Sequence, residues 1–206
     1  MRLYFAASSP YVRKVTVTLH ETGQIDDVEI VPAYGSPIDP QTAPVAKNPL
    51  GKLPTLERAD GPALYDSRVI CRYLNDRAAA RLYPDAPRLW DTLTLEATGD
   101  GILDAALAMV YEKRLRAPDK QSPEIIDGQW SKVTRALDVL NERWMSHLSG
   151  RLDIGHIAVG CALGYLEVRH EDRDWRKGRD ALADWYTKMC ERPAMQRTSP
   201  ENPPEL

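Results

Sequence analysis

The sequence predicts an α/β domain followed by an all-helical domain, and three observations carry that prediction. Over residues 1–77 short strand-like runs alternate with amphipathic helical segments, each bounded by turn-forming residues. A segment at 78–87 carrying Pro84 and Pro87 interrupts the pattern and reads as a linker. Beyond it, over 88–206, the apolar residues recur at helical spacing only.

In the first domain, residues 2–6 alternate and read as a strand. Ser9 then suits a helix N-cap and Pro10 the first helical position, where a missing N–H costs nothing. Tyr11, Val15 and Leu19 fall on one helical face, and Gly23 closes the segment. Residues 28–31 form a second short strand, and the proline-rich 33–47 a loop with room for one helical turn. The apolar 53–57 and 62–65 read as a hairpin turning at Asp60-Gly61. A helix over 67–76 places Val69, Ile70, Tyr73 and Leu74 inward. This strand-helix-strand, strand-hairpin, helix order is that of a thioredoxin-like domain.

The second half predicts a long helix over 88–117, stopped by Pro118, and another opened by Ser122-Pro123. Along the latter Ile126, Trp130, Val133, Leu137, Leu140 and Trp144 step by fours and threes. Residues 154–166 are apolar nearly all round, as in a central buried helix. A last helix over 180–191 buries Leu182, Trp185 and Met189. The polar, proline-rich tail from Thr198 is expected to be loose.

Composition narrows the function. A formal net charge of -3 with both signs interspersed gives no nucleic-acid footprint. No apolar run approaches the roughly eighteen residues of a membrane span, and no signal peptide is expected. The three cysteines form no Cys-x-x-Cys pair, which predicts buried free thiols and a cytoplasmic location. The histidines His20, His147, His156 and His170 show no metal-ligand spacing, so no metal is expected.

The chemistry concentrates in Asn48-Pro49-Leu50-Gly51-Lys52-Leu53-Pro54-Thr55-Leu56 and Asp66-Ser67. Asn-Pro opens a turn and Gly51 permits a backbone most residues resist. A cis Leu53-Pro54 bond would turn the Leu53 N–H and C=O outward, where they could pair with an extended peptide. Asp66-Ser67 stands at a helix start, whose free N–H groups and dipole favour an anion.

Asn-Pro-x-Gly-Lys-x-Pro, then Asp-Ser, with Ser-Pro-Tyr-Val-Arg-Lys at 9–14, resembles the glutathione-binding half of soluble glutathione S-transferases. The resemblance is to bacterial serine-type members, and it runs over nearly the whole chain. It implies that Leu53 and Pro54 present backbone to the cysteinyl part of glutathione and that Ser67 takes the γ-glutamyl carboxylate. Asp66 would take the ammonium, and Lys52 the glycyl carboxylate. It further implies a homodimer and a thiol activated by a hydroxyl at the first helix start. Ser9 aligns with that position and Ser8 is its rival, while Ser9 is equally suited to plain capping, its oxygen then being divided between two tasks. Where disulfide-reducing classes carry cysteine, this chain has serine. Addition or substitution on a small hydrophobic electrophile is therefore the expected reaction. Glutathione-dependent peroxide reduction, isomerisation, dehalogenation and ether cleavage are alternatives on the same fold, as is a module without turnover.

The electrophile is expected against the helix 88–117, where Leu103, Asp104, Leu107, Tyr111 and Arg114 recur at three- and four-residue steps; helix packing explains the leucines equally well. One departure from the family is Asp153-Ile154-Gly155-His156, where the usual capping pair has an acid in place of His156. A protonated His156 is expected to oppose the helix dipole.

Overall fold

The computed structural model describes Met1–Ser199. The chain forms two compact units, Met1–Asp85 with the segment from Pro193, and Ala86–Arg192. The break falls inside the expected linker, and the segment from Pro193, expected in the helical domain, packs with the first unit.

In the first unit β1 (Arg2–Phe5), β2 (Glu29–Pro32), β3 (Thr55–Arg58) and β4 (Gly61–Leu64) form one sheet in the order β2-β1-β3-β4. β1 runs parallel to β2 and antiparallel to β3, and β3 and β4 are antiparallel. A parallel neighbour needs a crossover, and α1 (Pro10–Glu21) supplies it. The helix reading of 10–21 therefore prevails over the strand-like Val-Thr-Val-Thr at 15–18. Val12, Val15, Val17 and Leu19 are fully buried, whereas Tyr11 is only half-buried.

The hairpin turns at Ala59-Asp60, one residue earlier than expected, and Gly61 pairs with Arg58 inside the sheet. An added Cβ on Gly61 would strike the Arg58 guanidinium. That guanidinium is the far end of a flexible side chain and can move aside, so the glycine is not demanded by packing. α2 (Ser67–Arg77) buries Ile70, Cys71 and Leu74. Val69, expected inward, is 46% exposed, and Tyr73 half-buried, because the buried stripe begins at Ser67 and Ile70. The loop 33–47 holds turns and a Ser36–Asp39 bridge, and at its end Pro44 O accepts the Lys47 and Asn48 N–H groups, each at 2.8 Å, in a single helix-like turn. Within the expected linker Leu82 is buried, and its N–H donates to Asn75 Oδ1 at 2.9 Å. α8 (Pro193–Arg197) packs on α1, so the chain's last described helix completes the first unit. Thr198, at the start of the tail expected to be loose, is buried; the rest of that tail, from 200, lies outside the described residues.

The second unit contains α3 (Arg88–Leu115), α4 (Pro123–Arg143), α5 (Met145–Leu148), α6 (Ile154–Arg169) and α7 (Asp180–Cys190). α6 is buried continuously from Ile154 to Leu166. It lies so close to α3 that a Cβ on Gly99 would meet the Ala158 backbone at 2.6 Å, and one on Gly155 the Leu95 Cβ at 2.6 Å. α4 is capped by Ser122, whose Oγ accepts the Ile125 N–H at 3.3 Å. In α7 Leu182, Tyr186 and Met189 are buried and Trp185 only partly, its indole N–H donating to Leu148 O at 2.8 Å.

Candidate functional site

The turn before β3 is held by a side chain the sequence reading treated only as a turn opener. Asn48 is 1% exposed, and its amide donates to Lys52 O at 2.9 Å and to Thr55 Oγ1 at 3.2 Å. Its Oδ1 accepts the Leu50 N–H at 3.1 Å, two residues on. The Thr55 hydroxyl adds a bond to Lys52 O at 3.1 Å. Asparagine's habit of bonding its own backbone two residues ahead was the available signal. Gly51 takes φ +61°, and the Leu53-Pro54 bond is cis. Pro54 is buried, Leu53 half-buried and Lys52 exposed.

The start of α2 follows β4 through a cis Tyr65-Asp66 bond. Asp66 is exposed and caps the helix, its Oδ1 accepting the Arg68 N–H at 3.0 Å. Ser67, in the first helical position, is 2% exposed. The cap bond goes to Arg68, so it does not occupy the Ser67 N–H, one of the donors a helix start leaves open.

At the start of α1, Ser9 is the N-cap and its Oγ accepts the Val12 N–H at 3.3 Å. Ser9 is half-buried and Ser8 exposed. A serine hydroxyl has one proton and two lone pairs. Accepting the Val12 N–H uses a lone pair and leaves the proton to donate, so capping and thiolate stabilisation are compatible. The conflict foreseen from the sequence does not arise. Tyr4, by contrast, is committed: its hydroxyl donates to Glu57 Oε2 at 3.1 Å, and Glu57 also meets Lys47 at 2.6 Å. Burial and that bond push the Tyr4 phenol's pKa up.

The face expected on α3 divides. Leu103 is fully buried, Leu107 and Tyr111 are half-buried, and Asp104 and Arg114 are exposed. Burial pushes the Tyr111 pKa up, and that of Tyr165 on α6 up to about 12, so both phenols remain O–H donors at neutral pH.

The start of α6 corrects two expectations. Asp153 caps the helix and His156 completes the capping box from the third helical position. Asp153 Oδ1 meets His156 Nδ1 at 2.7 Å, and Oδ2 meets His147 Nε2 at 2.7 Å and the Thr92 hydroxyl at 2.9 Å. His156 thus faces a buried carboxylate directly, a contact the sequence reading of the helix dipole did not include. Burial alone would push the Asp153 pKa up, but bonds from His156, His147 and Thr92 hold it well below the ordinary carboxylate range. The histidines are not all scattered, since His147, Asp153 and His156 bring ligand-type atoms within 4.8 Å of one another. The Arg88 guanidinium stands 3.7 Å from Asp153 Oδ2, an unfavourable neighbour for a cation.

Among the described residues no helix is long and apolar enough to cross a membrane. Cys71, Cys161 and Cys190 are free thiols, the first two buried.

Comparison with known proteins agrees with the fold. Residues 8–77 match the family model of the glutathione S-transferase N-terminal domain, and residues 123–188 that of the C-terminal domain. The chain is 30% identical over 204 residues to the uncharacterized GST-like protein YibF of Escherichia coli K12, covering 97% of this chain and 98% of that one. A glutathione transferase family member from Pseudomonas fluorescens Pf-5, solved with bound glutathione, is 45% identical, with 99% of each chain covered and a TM-score of 0.94. A second structure from that organism, with bound S-(propanoic acid)-glutathione, is 43% identical over 100% of each chain, with a TM-score of 0.90. A glutathione S-transferase from Methylobacillus flagellatus KT with glutathione bound is 35% identical, covers 97% of this chain and 98% of that one, and has a TM-score of 0.82.

Proposed function

The chain belongs to the glutathione S-transferase family, and from that premise we propose that it binds glutathione in the first unit and activates its thiol for attack on a small hydrophobic electrophile. The observation that carries this reading is the pairing, in one unit, of the Asn48-clamped Leu53 turn with the start of α2, where Asp66 is exposed and Ser67 stands in the first helical position. Leu53 pairs its backbone with the cysteinyl part of the tripeptide, Ser67 takes the γ-glutamyl carboxylate, and Asp66 takes the ammonium. Lys52, on the exposed flank of the same turn, takes the glycyl carboxylate. The relatives solved with glutathione or a glutathione conjugate support the choice of co-substrate.

Ser9 donates its proton to the glutathione sulfur while its lone pair holds the Val12 N–H. A hydrogen bond to a charged acceptor is worth roughly 1.5–3 kcal/mol, enough to lower a thiol pKa by about one to two units from about 8.5. The reactive thiolate fraction at neutral pH rises accordingly. Leu107 and Tyr111 supply apolar surface and an O–H donor for the electrophile, with Asp104 at its exposed edge. Detoxification of electrophiles in a reducing cytoplasm suits this chemistry and the three free thiols. A homodimer, through the exposed Val69 on α2 and the charged residues Arg68 and Arg72 beside it, completes the reading.

Calorimetric titration of glutathione, with the thiol pKa read by ultraviolet difference, tests it. Wild type binds with a lowered thiol pKa. Ser9→Ala binds with the thiol pKa near its free value, and Ser8→Ala behaves as wild type. Wild type that binds no glutathione would overturn the reading, and an unshifted thiol in Ser8→Ala alone would transfer the role to Ser8. Sedimentation as a monomer at micromolar concentration would remove the dimer.

A further inference from the structure

Arg114 closes the α3 face that carries Leu107 and Tyr111, and no step of the proposed glutathione chemistry engages it. α3 and α6 run side by side in the same sense. A Cβ on Gly155 would meet Leu95, one on Gly99 would meet Ala158, and farther along His170 Nε2 stands 3.0 Å from Ala106 O. This register brings the last turns of the two helices together. Spacings of three on α3 and four on α6 put Tyr111 and Arg114 on one helical face, and Tyr165 and Arg169 on another. The four groups act on one another: burial pushes the Tyr165 pKa up to about 12, Arg169 opposes the rise, Tyr111 adds to it and Arg114 again opposes it. Arg114 and Arg169 are exposed, and among the described residues neither makes an ion pair or a side-chain hydrogen bond. The acids beside them are taken. Glu112 meets Arg116 at 2.9 Å and accepts the Ser122 N–H at 2.9 Å, and Glu167 meets Arg176 at 2.6 Å. The Tyr111 and Tyr165 hydroxyls likewise have no hydrogen-bond partner among the described residues, and both oxygens remain accessible to solvent.

We infer that Arg114 and Arg169, aided by the Tyr111 and Tyr165 hydroxyls, form a carboxylate-recognition site on the second unit, and that the electrophile is therefore an acid. Its substrate class rests on the proposed transferase reaction; the binding of an acid does not. A guanidinium fork matches the two oxygens of a carboxylate, and the phenol O–H groups add further donors. Leu107 and the Tyr111 ring, both half-buried, take the apolar body of the molecule. Asp104 lies ten residues before Arg114, about 15 Å along the helix, so it stands clear of the carboxylate. Pairing with two cations also offsets the repulsion between an anionic electrophile and a thiolate. With an activated alkene, the glutathione sulfur bonds to the carbon β to the activating carbonyl and the π pair moves to the α carbon. That carbon takes a proton from water, matching the one the thiol has released.

Titration calorimetry of the full chain with sodium cinnamate, without glutathione and at constant ionic strength, tests the site, with cinnamamide as the neutral control. Cinnamate is expected to bind about tenfold more tightly than cinnamamide. Arg114→Gln and Arg169→Gln should each weaken cinnamate by about fivefold, the scale of a solvent-exposed ion pair, and leave cinnamamide unchanged. Arg135→Gln, which removes an exposed charge from α4, should change neither. No preference for the acid over the amide, or an equal loss in Arg135→Gln, overturns the inference. Turnover with glutathione then tests the substrate class, using 3-benzoylacrylate and its amide. The acid should have the lower KM, and Arg114→Gln should raise that KM while kcat changes little. Equal use of acid and amide overturns the inference and leaves the transferase reading standing. Binding of cinnamate through both arginines with turnover of neither compound keeps the carboxylate site and removes the transferase reading instead.

Discussion

The helix starts of the two units use one device for opposite ends. At α6 the capping carboxylate of Asp153 is 2% exposed and meets His156, His147 and the Thr92 hydroxyl at 2.7, 2.7 and 2.9 Å. At α1 and α2 the caps are partly or fully exposed, and the cap bonds found are single ones, Ser9 Oγ to the Val12 N–H at 3.3 Å and Asp66 Oδ1 to the Arg68 N–H at 3.0 Å. All three starts offer N–H groups and a favourable dipole to an anion. At α6 the anion is the protein's own and the site is closed. At α1 and α2 the cap residues are themselves half-buried or exposed, and we propose that a ligand supplies the anion there. A helix start becomes a binding site through what its cap leaves unsatisfied.

That contrast can be broken most forcefully at Asp153. Asp153→Ala leaves His147, His156, Thr92 and the helix amides without their acceptor, and stability should fall by about 3 kcal/mol or more, read from urea denaturation. A loss under 1 kcal/mol would make this cap no different from an ordinary one. Because the Asp153 pKa is depressed in the folded chain, the unfolded chain binds the extra proton first on acidification. Its contribution is therefore complete above the ordinary carboxylate range and lost as pH falls below it, so Asp153→Ala should also flatten the acid limb of a pH–stability curve.

The open starts should respond the other way round. Ser67→Ala is expected to weaken glutathione about tenfold or more, the worth of a hydrogen bond to a charged group, while the melting temperature moves by only a few degrees. Unaltered affinity would place the γ-glutamyl carboxylate elsewhere. Ser9→Ala should cost about 1 kcal/mol as a lost cap and abolish the thiol pKa shift. Losing stability alone would leave Ser9 a cap and nothing more.

The smallest effect belongs to His170, 1% exposed, with Nε2 3.0 Å from Ala106 O. Burial lowers its pKa, so it resists protonation when folded. The unfolded chain takes up that proton first, and stability should drop as pH falls below the unfolded value of about 6.5. In His170→Gln the slope between pH 6.5 and 5 should be shallower; an unchanged slope would assign it to other groups.

What the sequence disclosed, and what it withheld, follows the range of the interactions. The helices were legible because apolar periodicity and their starts at Ser9-Pro10, Ser122-Pro123 and Asp153 are local signals. The hairpin was displaced by one residue because Asp60-Gly61 has turn chemistry, whereas Gly61 is already paired with Arg58 in the sheet. Val69 was placed inward by counting from the wrong edge of the stripe. The Lys52-Leu53-Pro54 turn was readable, but the clamp by Asn48 required knowing that its side chain is buried beneath that turn. Of the cluster of Thr92, His147, Asp153 and His156 only the local Asp153–His156 pair was legible, since the packing of α3, α5 and α6 brings the other positions to it. The burial of Arg13 was hidden for the same reason, its Nη2 donating to Met195 O, 182 residues away.

That separation bears on how the protein is made. A domain usually folds as it leaves the ribosome, N-terminal part first. Here the helix capped by the proposed thiol-activating serine is packed against α8, which follows the whole helical unit in sequence. During translation the sheet, α1 and α2 emerge early, but α8 is not yet made while the whole helical unit is being synthesised. The first unit to appear is thus completed only after the helical unit has been made, so α1 stays without its α8 contact until Ala86–Arg192 has been synthesised.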